Sequence, residues 1–168
     1  ASFTTPTSSW KGAVKRTDPS IANQSTMNLT LTNGATWTHE VQSGKLAGDA
    51  GFTTSHLTKL TGGDSLAHAG VVKQGEKNIL IDSYSGDTKV LYRHDAASPT
   101  TVYGGKLTIA KAAAGSAITL STDSVGLNTE STKAADKNLV SATLNALANK
   151  LYYTAYTTGE RNLSGKAE

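Results

Sequence analysis

KNILIDSYSGDTKVLYRHDAASPTTVYGGKLTIAKAAAGSAITL, the stretch from Lys77 to Leu120, decides the fold class of this chain. It holds four short runs rich in β-branched, aromatic or leucine residues, at 78–82, 89–93, 106–109 and 117–120. Glycine, serine, aspartate or asparagine bounds the runs, a pattern typical of strands separated by turns. The intervals of 6, 12 and 7 residues are mostly too short for crossover helices. Antiparallel hairpins and the coils of a parallel β-solenoid both fit such strands.

Apolar positions outside this stretch recur at the interval of one solenoid coil. The separation is 28 residues from Leu29 to Leu57, 22 from Leu57 to Ile79 and 28 from Ile79 to Leu107. A coil of roughly 20 to 30 residues buries its apolar side chains against the coils above and below it. The sequence therefore predicts an all-β fold, a parallel β-helix forming one segment over residues 1–168. A hairpin-rich sandwich is the alternative.

The first half of the chain adds strands of the half-buried kind. Residues 27–32 alternate apolar and polar side chains, which predicts a strand with Met27, Leu29 and Leu31 inward. Asn33-Gly34 then predicts a tight turn, since both residues accept positive φ at low cost. Residues 35–41 predict another strand, with Trp37 and His39 on one face. Further strands are expected at 9–14, 151–156 and 161–166.

Residues 133–150 contain no glycine or proline and differ in composition from the rest of the chain. Apolar and threonine side chains fall on one helical stripe, at Leu139, Val140, Thr143, Leu144 and Leu147. Thr132 is the expected N-cap, and Asn149 is expected to end the helix. The pattern predicts one amphipathic helix over 133–150, inserted beside the β-structure.

Composition restricts the classes of function. The formal net charge is +3, but lysine and arginine are scattered singly, without the basic face typical of nucleic-acid binders. We therefore expect no nucleic-acid partner. The absence of cysteine excludes disulfides, thiolate metal sites and cysteine nucleophiles. It also suits a protein that crosses an oxidising periplasm unfolded.

No motif of catalysis, cofactor binding or metal binding is present, so we expect no catalytic residues, no cofactor and no metal. The best acidic constellation is Arg93 and Asp95, which share a face of one strand, together with Asp82 and Asp87. A neighbouring coil can bring Asp82 alongside them, which is the geometry that a polysaccharide-degrading enzyme needs. The four histidines, His39, His56, His68 and His94, lack paired ligand spacing. His39 is expected to pack on the Trp37 face.

Residues 27–37 (MNLTLTNGATW), 55–63 (SHLTKLTGG) and 79–95 (ILIDSYSGDTKVLYRHD) follow one another in an order that resembles the C-terminal part of autotransporter passenger domains of the pertactin and AIDA type. The resemblance covers roughly residues 27–120. It implies a right-handed parallel β-helix displayed outside a Gram-negative cell, anchored in the outer membrane through a flanking β-barrel translocator. The helix at 133–150 departs from the pattern and is expected to be an insertion in a longer passenger.

The resulting functional hypothesis is a non-enzymatic adhesin segment that contacts host-cell or matrix glycans and proteins, or associates with itself. Binding is expected to use tyrosines on the rod, namely Tyr92, Tyr103 and Tyr153, and the loops at 42–56 and 94–104. The alternatives are a β-helix enzyme that degrades polysaccharides and a structural segment of a surface layer or phage fibre.

Overall fold

The structure, a computed structural model, describes residues 1–15, 26–41, 52–95, 98–122, 133–153 and 163–167. Its elements within these ranges are β1 (Ser2–Phe3), β2 (Ser9–Gly12), β3 (Asn28–Leu31), β4 (Thr36–His39), β5 (Thr54–Thr61), a 3-10 helix (Leu66–His68), β6 (Gly70–Lys73), β7 (Asn78–Ser85), β8 (Asp87–Asp95), β9 (Ser98–Tyr103), β10 (Leu107–Ala112), β11 (Ser116–Thr122), α1 (Ala134–Ala148), β12 (Leu151–Tyr153) and β13 (Leu163–Ala167).

The strands alternate between two sheets as the chain advances. Sheet A has the order β1-β3-β5-β7-β10-β12, and sheet B has the order β13-β11-β8-β6-β4-β2. Neighbouring strands in both orders are parallel. We call one A strand and the B strand after it a rung. Each rung stacks on the previous one, so the predicted parallel β-helix with one helix is confirmed.

Like side chains stack over one another in the core between the sheets. In sheet A, Leu57, Ile81 and Ile109 form one ladder through successive paired positions, and all three are fully buried. In sheet B, Trp37 pairs with Val72, which pairs with Val90. Each rung therefore covers the apolar side chains of the rung below, which is how a solenoid builds a core from short strands.

The predicted Asn33-Gly34 turn is confirmed in detail. Asn33 has φ 53° and Gly34 has φ 77°, the positive values that these two residue types adopt most readily. The turn reverses the chain between β3 and β4 and sends it from sheet A to sheet B. Its backbone N–H groups are satisfied by the next rung, since Asn33 donates to the His68 carbonyl at 2.7 Å.

Two strands near the candidate site were not anticipated. β6 is only four residues long and follows a polar bend, so its pattern is weak. β9 contains Pro99, which ordinarily argues against a strand, and it pairs antiparallel with the end of β8. An edge strand tolerates proline because the missing N–H faces no partner. Together, β8 and β9 form an antiparallel hairpin, and Val102 of β9 packs in the core with the side chains of the rungs.

The predicted helix is present as α1, inserted between β11 and β12 and packed against β9, β11 and β13. Thr143 and Leu147 of the predicted stripe are buried, and Leu144 is half-buried. The N-cap position is Lys133, whose side chain makes no capping bond, and the expected cap Thr132 lies outside the described residues. No helix in the described ranges is long and apolar enough to cross a membrane.

Candidate functional site

The structure places the three tyrosines predicted to bind a partner in different environments. Tyr92 is fully buried, and its hydroxyl donates to the Gly105 carbonyl at 3.2 Å. The prediction that Tyr92 contributes to a binding surface is wrong, because strand alternation in β8 turns this side chain into the core. Tyr103 is 41% exposed. The backbone of Tyr153 is paired with Ile109, and its side chain is not among those described.

Tyr103 is the last residue of β9, at the end of the β8–β9 pairing that lies farthest from Asp95 and Ser98. It pairs across the hairpin with Arg93, whose guanidinium carbon lies 5.0 Å from the centroid of the Tyr103 ring. A cation over an aromatic face is attracted by the ring quadrupole, so Arg93 helps to fix the ring. The predicted loop 94–104 contains β9 and its pairing with β8. Of the predicted loop 42–56, residues 42–51 lie outside the described residues.

A groove opens next to Tyr103, at the corner where the strands of sheet B end. A cavity of about 410 Å³ is lined by residues that end β4 and by the turn after β6, namely Thr38, His39, Glu40, Val41, Lys73, Gln74, Gly75, Glu76 and Lys77. A second cavity of about 160 Å³ shares Gln74, Gly75 and Glu76 with it and reaches Arg93, Tyr103 and Gly104. We call the two together the corner groove.

The register of the rungs explains why these residues meet. Thr38 of β4 pairs with Lys73 of β6, so the next residues, His39 and Gln74, take corresponding positions in neighbouring rungs. The turn at Gly75 then passes close to the rung below, where a Cβ would overlap the carbonyl oxygen of His39. Glycine is therefore required at this position, and the close approach draws the turn over the groove.

His39 lies at the base of the groove and is 1% exposed. Its ring meets the edge of Trp37 at a centroid distance of 5.2 Å, as predicted from their shared face. Its Nε2 lies 2.8 Å from Ser55 Oγ, which also accepts a hydrogen bond from the Val14 N–H. Burial lowers the pKa of His39 to about 4, because the apolar surroundings disfavour the charged ring. The ring is therefore neutral at physiological pH.

Two buried polar atoms of the groove have no hydrogen-bond partner in the described part of the chain. They are Nδ1 of His39 and Oε1 of Gln74. Gln74 is 8% exposed, and its amide is oriented by the donation from Nε2 to the Lys77 carbonyl at 2.8 Å. Leaving such a group without a partner costs about 1–3 kcal/mol. The pair therefore marks the groove as a place where a polar partner is favourable.

Arg93 and Asp82, which an enzyme would bring together, lie on strands of different sheets. Asp82 is on β7 of sheet A, and its Oδ1 lies 2.5 Å from Nε2 of His56 on the neighbouring strand β5. Arg93 is on β8 of sheet B, beside Tyr103. The side chain of Asp95 is not among those described. The possibility that a neighbouring coil brings Asp82 alongside Arg93 is not realised, because the strands paired with β7 are β5 and β10.

Among the described residues there is no group of three or more histidine, cysteine, aspartate or glutamate side chains arranged to hold a metal ion. His68 bonds through Nδ1 to Asp64 Oδ1 at 2.6 Å on an exposed bend. This hydrogen bond holds the pKa of Asp64 below its usual value. The contact is local and gives no sign of a wider site.

Sequence reasoning missed the central member of the corner groove. Gln74 follows a four-residue strand that the sequence did not predict, and a single glutamine beside a glycine carries no recognisable motif. His39 and Tyr103 were identified as packed and as exposed candidates, but nothing in their spacing placed them at one corner. The link between them is the stacking register, which only the structure supplies.

No protein-family model, no curated protein and no solved structure matches the chain. The fold and the groove therefore define the class of protein by architecture, as a parallel β-helix with one lateral helix and a polar groove at the end of its second sheet.

Proposed function

We propose that the chain is a non-enzymatic segment of a cell-surface adhesin, a passenger of the autotransporter kind displayed outside a Gram-negative cell. The observation that carries the proposal is the corner groove, which presents an exposed aromatic side chain and polar groups on the side of stacked rungs. The passenger class is supported by the order of motifs over residues 27–120. The adhesive role is supported by Tyr103, an aromatic side chain that is 41% exposed beside the groove.

A secreted adhesin must remain folded outside the cell, where no chaperone or energy source is available. The rungs meet this need through in-register ladders such as Leu57, Ile81 and Ile109, each of which is fully buried. The backbone hydrogen bonds run from rung to rung along the stack. A chain without cysteine gains its stability in this way and needs no disulfide after export.

The hairpin and α1 support the adhesive role further. Both are inserted between strands of consecutive rungs, and the rungs on either side still pair in parallel. Elements added beside a rigid scaffold are where proteins commonly carry their binding residues. The hairpin contributes Arg93 and Tyr103 to the lining of the smaller cavity, and Lys150 Nζ, just after α1, donates to the Gly104 carbonyl at 2.8 Å.

The test is retention of beads that carry the folded chain on cultured host cells and on surfaces coated with extracellular matrix. We expect retention several-fold above that of beads carrying the urea-unfolded chain. Retention no higher than this control on every surface would overturn the proposal. Clumping of the beads with one another, without retention, would favour a self-assembling surface-layer or fibre segment.

The enzyme alternative is examined with the same preparation. Release of reducing ends from plant and bacterial polysaccharides is measured for the chain and for a variant with alanine at Asp82, Asp87, Arg93 and Asp95. The adhesin proposal expects no release from either protein. Turnover that the four substitutions abolish would replace the adhesin with a polysaccharide-degrading enzyme.

A further inference from the structure

We infer that the corner groove binds a neutral sugar residue, with Gln74 facing its hydroxyl groups and Tyr103 forming an apolar wall. The inference deepens the proposed function by naming the site and the class of ligand, and it rests on that function. It is carried by the unpartnered, buried Oε1 of Gln74, a residue that lines both cavities, and by the exposed aromatic ring of Tyr103 beside it.

The hydrogen-bonding capacity of the groove matches hydroxyl groups. Gln74 Oε1 is an acceptor only, whereas Nδ1 of a neutral histidine is a donor in one tautomer and an acceptor in the other. A sugar hydroxyl both donates and accepts, so it can donate to Oε1 of Gln74 and accept from a neighbouring donor of the groove. Because burial keeps the His39 ring neutral, a charged partner is not needed to balance it.

The lining of the groove carries charged groups of both signs. The two cavities of the groove are lined by three cations, Lys73, Lys77 and Arg93, and by two glutamates, Glu40 and Glu76. Glu40 also forms an ion pair with Lys11 at 2.9 Å. A site for an anionic sugar would concentrate cations, as bidentate arginine clamps do. Cationic and carboxylate side chains both line this groove and supply further donors and acceptors.

The dimensions and the apolar wall fit a small polyhydroxylated ring. The larger cavity, at about 410 Å³, lies within the range of roughly 300–1,000 Å³ found for small-ligand sites. Tyr103 offers an amphipathic face that Arg93 fixes from 5.0 Å. A peptide also offers donors and acceptors, but it gains less from contact with a single aromatic ring. A peptide is therefore used as the competing probe.

Binding requires a rotation of Gln74. Oε1 of Gln74 is closed to solvent in the ligand-free chain, so the amide turns toward the cavity when a hydroxyl arrives. The rotation breaks the hydrogen bond from Nε2 of Gln74 to the Lys77 carbonyl, and in exchange Oε1 gains a hydroxyl partner. The side-chain amide of Gln74 therefore reports on binding directly.

The experiment is a nuclear magnetic resonance titration of the whole chain with single probes. The neutral probes are glucose, galactose, mannose and N-acetylglucosamine; galacturonate and capped tri-alanine are the comparison probes. We expect at least one neutral sugar to shift the backbone amides of residues 38–41, 73–77 and 103–104 together with the Gln74 side-chain amide. Shifts confined to other residues, or none with all four sugars, would overturn the inference and leave ordered water as the partner.

The comparison probes decide the class of ligand. Galacturonate or the peptide binding in the groove more tightly than every neutral sugar would overturn the neutral-sugar assignment. Gln74→Leu is expected to weaken sugar binding about tenfold, which corresponds to the loss of roughly one hydrogen bond. Tyr103→Ala removes an exposed side chain without disturbing the core and is expected to weaken binding several-fold.

Leu66→Ala is the matched control for Tyr103→Ala, because Leu66 is a large apolar residue with a similar exposure of 38%, on the 3-10 helix. We expect it to bind as the unmodified chain does, and an equal loss in both variants would contradict the assignment of the groove.

Bead retention separates the sugar-site inference from the adhesin proposal. Retention that survives Gln74→Leu and Tyr103→Ala leaves the adhesin standing and rejects the groove, whereas failure of retention in the unmodified chain rejects the adhesin itself.

Discussion

At the scale of the residue, His39 shows how one buried polar group shapes this fold. It occupies an interior position that an apolar residue would fill without cost, with Trp37 on one side and Ser55 Oγ at 2.8 Å. Trp37 in turn stacks on Trp10 at a centroid distance of 5.2 Å and donates from Nε1 to the Gly12 carbonyl at 2.9 Å. The His39 ring is therefore packed among aromatic side chains and backbone groups.

Acid is expected to destabilise the chain through His39. The pKa of the folded state is about 4, below the value of 6.5 for an exposed histidine, so the unfolded chain binds the proton more tightly. Stability is therefore complete above pH 6.5 and is lost as the pH falls from 6.5 toward 4, by up to about 3 kcal/mol. Urea unfolding at a series of pH values measures this loss.

The variant His39→Gln isolates the contribution of the ring. It retains polar groups of similar reach but has no titrating nitrogen, so its stability should change less over the same pH window. The difference between the two slopes is the quantity to compare, since other groups titrate equally in both proteins. Parallel slopes would show that His39 does not drive the acid response.

At the scale of the element, the structure joins α1 to the rungs through a few buried contacts. Leu147 is 1% exposed and belongs to the same core as the strand ladders, and Thr143 is buried one turn earlier. Immediately after the helix, the Lys150 carbonyl accepts from the Leu107 N–H at 2.8 Å. The helix is therefore tied into the stack at its C-terminal end, beside the corner groove.

Truncating the buried leucine of α1 tests this attachment. Leu147→Ala is expected to reduce the free energy of unfolding by about 2–5 kcal/mol, because it removes fully buried methyl groups and leaves a cavity. Leu144→Ala is the matched control, and its half-buried side chain should give a smaller loss. Equal effects in urea unfolding would show that the helix does not depend on the Leu147 contact.

At the scale of the whole molecule, stability comes from the repetition of buried positions rather than from any one contact. Ile109 of β10 is paired with Ile81 of β7 and, on its other side, with the backbone of Tyr153. The strands β5 and β7 share one pattern of burial, including the two-residue break before Leu60 and Tyr84. Successive rungs therefore bend at the same place and stay in register.

Neighbouring positions on one strand are expected to respond in opposite ways. Ile109→Ala should cost about 2–5 kcal/mol, because it opens a cavity in a ladder covered from both sides. Thr108→Ala, one residue earlier and facing outward, should change stability by only about 0.5 kcal/mol. Urea unfolding followed by circular dichroism measures both, and similar losses would contradict the ladder.

The candidate site was predictable only in part, for reasons visible in particular residues. His39 was recognisable because strand alternation places it on the Trp37 face, whereas Tyr103 was expected only as a loop residue. The same rule should have placed Tyr92 inside, since it alternates with the exposed Arg93. Gln74 carried no signal, because a glutamine after a short strand is ordinarily a surface residue.

The sequence by itself determined the class of fold, the turn at Asn33-Gly34 and the helix near 133–150. Each of these is encoded over a short span, by side-chain periodicity or by the φ values that a residue type accepts. Only the tertiary structure decided that β8 extends into a hairpin with β9, and that His39, Gln74 and Tyr103 share one corner. Those residues are distant along the chain and meet through the register of stacked rungs, which a one-residue slip would alter.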